Sequence, residues 1–329
     1  MISYNKLLIS WDKFFFEPSP TVSIALFRIC WSFLIAIYFL LDLQNINEFY
    51  GPHALISLQT VKEQFPFAHL NIFHSFKSSY EMVYALMTVY GISILCAFFG
   101  FYTRTSLVVM FICMTSIHQR NIWLLSSSEL LLRTITIYLV CSPCGHALSI
   151  DSLLGRKFKS FKRPRDWAPW ALRLIQIQIS VVYLWTVWHK LKGNDWFDGS
   201  AVYYATRLES MKSFYFSPML DSKLFLKLAT WGTLVTEVAL GTLIWVKEFR
   251  KPLIVIGIAF HLGIELTMSI PFFEIIMISL LMLYLTPLEV RVFSQSVIGK
   301  LSGMVNEVQI YPKLKTRILW MMRGHYVEN

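Results

Sequence analysis

The sequence predicts an all-α integral membrane protein of about eight transmembrane helices, with interfacial helices in the external loops. Three observations carry this. The 329 residues are 55% hydrophobic and 16% aromatic, and only 15% are charged, against about a quarter in a soluble domain. Several apolar runs approach the roughly 20 residues that cross a hydrocarbon core. Lys and Arg concentrate between those runs, as the positive-inside rule requires. The net charge of +10 therefore reads as a topology signal for the lipid bilayer. No nucleic-acid partner is expected.

Residues 1–20 are expected to form a cytoplasmic segment, 21–290 a transmembrane domain and 291–329 a basic cytoplasmic tail. The first 20 residues carry acidic and aromatic residues and lack a small-residue cleavage site, so the first span is expected to act as its own insertion signal. Spans fall at 21–41, 80–100, 104–119, 123–141, 169–190, 224–246, 252–269 and 272–288, the last two divided near Pro271. Residues 154–166 hold six basic residues against one acidic, and the tail six against two. With the basic run Lys247–Lys251, these segments are assigned to the cytoplasm. Residues 42–79 carry two lysines, three acidic residues, and His53, His69 and His74, which reads as external. Both termini then lie inside, and the fifth span ends externally at Lys190. The aromatic loops 42–79 and 191–223 are expected to lie in the interface or cap the bundle. In the tail, residues 317–323 read as a surface-bound basic helix.

A charge at the centre of a lone span costs about 2.5–3.5 kcal/mol. Arg28, Glu129, Arg133, Arg173, Lys227, Glu237, His261, Glu265 and Glu274 all fall within spans, so they should face one another or a wet cavity. In the fifth span Arg173, Gln176, Ser180, Tyr183 and Lys190 recur at helical spacing and form one polar stripe. Arg28, Glu129, Arg133, Arg173 and Gln176 are read as a structural polar network. Glu129 and Arg133 have the favourable i, i+4 order. His261 and Glu265 form a second i, i+4 pair, suited to a proton relay, a ligand site or an interhelical hydrogen bond.

Lys190 follows His189 and lies among Tyr183, Trp185, Trp188 and Trp196. A lysine is a base only as the neutral amine, which an apolar aromatic setting favours. A lysine at a helix end also snorkels to water as an anchor. The residues alone leave both readings open. No metal site is expected, since no His-Glu-x-x-His motif occurs. Cys141-Ser-Pro-Cys144 has redox spacing, but its expected cytoplasmic position is reducing and lacks a thioredoxin-like context.

Taken in order, the motifs resemble the HTTM family, the membrane domain shared with vitamin K-dependent γ-carboxylases. They are Leu26-Phe-Arg-Ile29, Arg120-Asn121, Ser149-Ile-Asp-Ser-Leu-Leu154, then Tyr183 with His189-Lys190-Leu191, Asp195-Trp196 and Gly199, and finally His261. In length the chain is most similar to the SdpB-type branch. That resemblance implies a bacterial cell-membrane protein needed to mature an exported antimicrobial peptide of the sporulation-delaying type, in the manner of bacteriocin biosynthesis, beside a small SdpA-like partner. It implies that Lys190 is a base; His189 is then read as its catalytic neighbour, and Tyr183, Asp195, Trp196, His261 and Glu265 as the residues around substrate or cofactor. The carboxylases use a vitamin K hydroquinone, so a quinone is the one cofactor implied. They also carry a histidine where this chain has Leu125-Ser-Ser-Ser-Glu129. The alternatives are a quinone-dependent carboxylase or oxidase, and a non-enzymatic peptide exporter or immunity factor.

Overall fold

The computed structural model describes residues 4–65, 72–75, 79–157, 166–209, 218–270, 272–290 and 292. The described residues through Tyr284 form one compact unit, and 285–290 and 292 belong to a second. In the second, the N–H of Thr286 donates to Glu289 Oε2 (2.8 Å) and that of Glu289 to Thr286 Oγ1 (3.3 Å), a reciprocal cap. The surface helix expected at 317–323, Pro271, His69 and most of the 154–166 loop lie outside the described residues.

The first unit is helical almost throughout. α1 (Tyr4–Phe16) leads to α2 (Val22–Gln44). The short α3 (Ile46–Tyr50), α4 (Leu58–Gln64) and α5 (Ile72–Ser75) precede α6 (Tyr80–Phe99). α7 (Thr103–Arg120), α8 (Ser127–Cys141) and α9 (Ile150–Lys157) follow, then α10 (Trp170–Lys190) and the short α11 (Asn194–Asp198) and α12 (Ala201–Ala205). α13 (Lys223–Thr242), α14 (Lys247–Thr267) and α15 (Phe273–Leu281) complete it. Two-residue strands, β1 (Ser19–Pro20) and β2 (Asp166–Trp167), pair antiparallel ahead of α2 and α10.

Helices stand at all eight expected spans. By length and composition, α2, α6, α10 and α13 with its extension to Trp245 are long and apolar enough to cross a membrane. Two starts differ from expectation. α8 begins at Ser127, after a 3-10 turn at Ile122–Leu124, because Ser126 and Glu129 form a capping box that fixes its first turn. α14 begins at Lys247, so the expected basic loop is its first turn. Pro252 then forfeits a single ladder bond near the helix start.

α6 packs against α2 and α7, and α10 against α13, while α14 lies on α15. Contacts of α8 with α10 and of α15 with α2 and α8 join the two halves. Around the outside, Ile92, Leu95, Phe99, Val235 and Val255 stand exposed, an apolar surface suited to lipid.

Two buried arginines tie down opposite ends of the bundle. Arg28 on α2 donates to the carbonyls of Leu148 (2.5 Å) and Cys144 (3.3 Å). Arg120 at the end of α7 donates to those of Gly51 (2.9 Å) and Ile56 (3.0 Å). Asp151 accepts the N–H groups of Tyr102 and Thr103 and the Thr103 hydroxyl (2.8, 2.8 and 2.7 Å). It thereby satisfies orphan donors at the start of α7. Between these anchors Gly100 turns at φ +69°, and a Cβ there would lie 2.3 Å from Arg28 Nη1. Gly100→Ala is thus expected to lower stability by about 1–3 kcal/mol, read as earlier thermal unfolding of the detergent-purified protein.

Candidate functional site

The polar stripe of α10 divides into two parts. Its lower part holds structure together. Arg173 Nη1 donates to Gln176 Oε1 (2.9 Å), and Arg173 Nε to the Phe14 carbonyl (3.3 Å), with the guanidinium 4.8 Å from the Phe14 ring centroid. Gln176 Nε2 donates to the Leu283 carbonyl (2.8 Å), Tyr284 Oη to the Gln176 carbonyl (2.8 Å), and Trp245 Nε1 to Ser180 Oγ (2.9 Å). Each of these groups finds a partner within the packed helices.

The upper part opens on a cavity of about 880 Å³ between α10, α13, α14 and α15. Lys190 Nζ donates to Glu237 Oε1 at 2.5 Å, and lies 4.9 Å from the Trp196 ring centroid. Glu237 is buried within α13, and its second oxygen has no hydrogen-bond partner. Lower in the cavity Tyr183 Oη and His261 Nε2 are 2.7 Å apart, and His261 Nδ1 meets Glu274 Oε2. Tyr183, His261 and Glu274 are all buried. With His261 neutral and its proton on Nδ1, the phenol donates to Nε2 and the imidazole to the carboxylate. Such an arrangement can pass a proton between a phenol and an imidazole held in one tautomer, with the positional logic of a nucleophile–His–acid triad.

Several expected positions differ. His189 is exposed and packs on Trp185 at 4.7 Å, because one step along a helix turns a side chain some 100° off its neighbour's face. Asp195 is exposed in the first turn of α11 and accepts the Ser200 N–H through its backbone carbonyl. Trp196 does line the cavity. Glu265 does not reach His261 Nδ1, which Glu274 takes instead. The left-handed turn at Phe272 (φ +63°) starts α15, whose first turn carries Glu274 back over His261. Nor do Glu129 and Arg133 pair. Glu129 is held by Tyr38 Oη and by Ser126, whose N–H and hydroxyl share its other oxygen.

Glu237 and Glu274 were legible only as charges in apolar runs. A lone acid inside a span demands a partner, yet nothing in the spacing assigned Glu237 to Lys190, 47 residues away. Among the described residues no three His, Cys, Asp or Glu side chains converge on a metal-sized site. Cys144 is buried, and burial pushes its thiol above the ordinary range, which starves it of reactive thiolate. N-ethylmaleimide is expected to modify exposed Cys141 in the native protein and Cys144 only after unfolding, as read by mass spectrometry.

The molecule is thus a helical membrane bundle with an ion pair and a Tyr–His–Glu hydrogen-bonded chain beside one cavity. The HTTM domain model matches residues 16–288, and the chain belongs to the HTTM family. Two relatives come from Bacillus subtilis (strain 168). The protein YitO is 29% identical over 121 residues, covering 35% of this chain and 39% of its own. Sporulation-delaying protein SdpB is 30% identical over 124 residues, covering 36% of this chain and 38% of its own. The chain thus spans well under half the length of these relatives. No solved structure matches.

Proposed function

We propose that this protein matures an exported antimicrobial peptide of the sporulation-delaying type at the extracytoplasmic face of a bacterial membrane, with Lys190 as the base. The observation that carries the reading is the Lys190–Glu237 contact at the mouth of an apolar cavity. Lys190 becomes an amine by passing its proton to Glu237, 2.5 Å away. The amine then removes an acidic proton from the bound peptide and becomes ammonium again, while Glu237 holds the first proton until the site resets. An apolar wall lowers the cost of forming this neutral pair from the ion pair. The relative named as a sporulation-delaying protein supplies the peptide class. The loop charges supply the topology: eight spans, both termini cytoplasmic, Lys190 external. The precursor peptide and a small SdpA-like protein are the partners.

The test compares peptide masses in culture supernatants from cells with and without this protein. A mass that depends on the protein is expected to vanish with Lys190→Ala at equal membrane protein. Unchanged peptide from that variant rejects Lys190 as the base. The second reading, a quinone-linked carboxylase, is favoured by Trp196, Phe225 and Phe260 lining the cavity, a setting that suits a planar ring. It requires the added mass of carbon dioxide on each modified glutamate.

A further inference from the structure

At the corner where α1 packs on α10, two arginines carry charge that no acid answers. Arg173 and Arg250 each stand in the first turn of a 21-residue helix, α10 and α14, where the positive end of the helix dipole adds to their own charge. Both are half-buried, and a guanidinium stays charged at any physiological pH. Arg173 uses Nε and Nη1 on the Phe14 carbonyl and Gln176, while Arg250 uses Nε and Nη2 on the carbonyls of Ile244 (3.4 Å) and Trp245 (3.3 Å). Arg173 Nη2 and Arg250 Nη1 hold no hydrogen bond and are open, not enclosed. Among the described residues neither arginine forms an ion pair, and the one charge acting on Arg173 is that of Arg250. Two like charges in a packed corner are uncompensated, and an anion with several oxygens would answer both.

An apolar groove of about 420 Å³ begins at this pair, walled by Phe14, Ile177, Val181, Leu184 and Trp245. The Arg173 guanidinium lies 4.8 Å from the Phe14 ring centroid and Arg250 holds the Trp245 carbonyl, so both stand at its end. Ile177, Val181 and Leu184 follow at helical spacing and carry the groove roughly 10 Å along α10. Val181 and Leu184 are 50% and 40% exposed, and none of the five lines the cavity of the candidate site. The groove therefore opens outward, on the surface suited to lipid. On α1, Leu8, Ile9 and Trp11 are exposed beside Lys6 and Lys13, the pattern of a helix lying in a membrane interface. That sets the arginines at headgroup depth.

We propose that this corner binds one anionic phospholipid, its phosphate shared between Arg173 and Arg250 and one acyl chain lying in the groove along α10. A phosphate diester offers the paired oxygens that a guanidinium fork grips. A choline lipid fits less well, because its own ammonium adds a third cation to the corner.

Dioleoyl phosphatidylglycerol and dioleoyl phosphatidylcholine are offered in equal amounts to the detergent-purified protein, and bound lipid is counted by native mass spectrometry. One phosphatidylglycerol is expected to be retained, favoured at least about tenfold, the order that hydrogen bonds to charged groups supply. Arg250→Gln is expected to remove the preference. Val181→Trp fills the outward side of the groove and touches no side-chain hydrogen bond. It should leave the thermal unfolding midpoint in place and lower the retained phosphatidylglycerol severalfold. Glycerol phosphate, which has the headgroup chemistry without the chains, is expected not to displace the lipid. Equal retention of the two lipids overturns the proposal, as does an undiminished preference in Arg250→Gln or undiminished retention in Val181→Trp. Displacement by glycerol phosphate would make the corner a site for free anions and overturns it too. If Arg250→Gln loses its fold, the other three measurements decide.

Discussion

Lys190→Arg is expected to stay folded in the membrane and to lose mature peptide by at least about a hundredfold, the lower range for removing a general base. Arginine keeps a cation beside Glu237 and so keeps the ion pair. Its guanidinium does not surrender a proton at physiological pH, so no amine forms. Alanine at the same position is a blunter change, because it leaves a buried Glu237 carboxylate without its partner. Breaking a fully buried pair costs about 3–5 kcal/mol. Here the figure is smaller, since the lysine side chain retains 24% exposure against 8% for the glutamate. Peptide mass normalised to membrane protein therefore separates the two roles. Full product from Lys190→Arg would show that the site needs only a cation. Loss of product with arginine but not with a volume-matched polar residue would point to shape instead.

The helices were readable because each is an apolar run with its own stop signals. The buried arginines of the family motifs were readable as charges. Their partners were not, since Arg28 and Arg120 are satisfied by backbone carbonyls of distant loops, which no side-chain pattern reveals. The stripe on α10 was readable because periodicity acts within one helix. Its meaning was not: the same face is structural at Gln176 and cavity-lining at Tyr183 and Lys190, and only the cavity beside its upper turns separates those fates.

The two acids show where helical spacing misleads. An i, i+4 rule describes neighbours on one helix surface, and it paired Glu129 with Arg133 and His261 with Glu265. Inside a bundle the partner from another element wins when it arrives already oriented. Glu129 is claimed by Tyr38 across the α2–α8 contact and by its own cap at Ser126. His261 is claimed by Glu274 from α15. In both cases the expected partner stays on the same helix face but does not form the bond. The site thus rests on three contacts between separate helices: α10 with α13, α10 with α14, and α14 with α15.

Glu274→Gln is expected to cut product formation by about a hundredfold or more while barely changing stability. The substitution preserves volume and replaces one acceptor by an amide, so the buried network keeps a hydrogen-bonding partner at His261. What changes is the proton on the ring. A carboxylate accepts only, which holds the neutral imidazole proton on Nδ1 and leaves Nε2 free to accept from Tyr183. A glutamine amide turned to donate toward Nδ1 sends the proton to Nε2, and Tyr183 then loses its acceptor. The corresponding acid-to-amide change in serine proteases leaves their histidine in the wrong tautomer and lowers turnover about ten-thousandfold. Tyr183→Phe removes the phenol itself and is expected to match Glu274→Gln in the same assay of mature peptide. Equal losses place the two residues on one proton path. A large loss for Tyr183→Phe with none for Glu274→Gln would make the tyrosine a substrate contact and reduce the His261–Glu274 pair to packing.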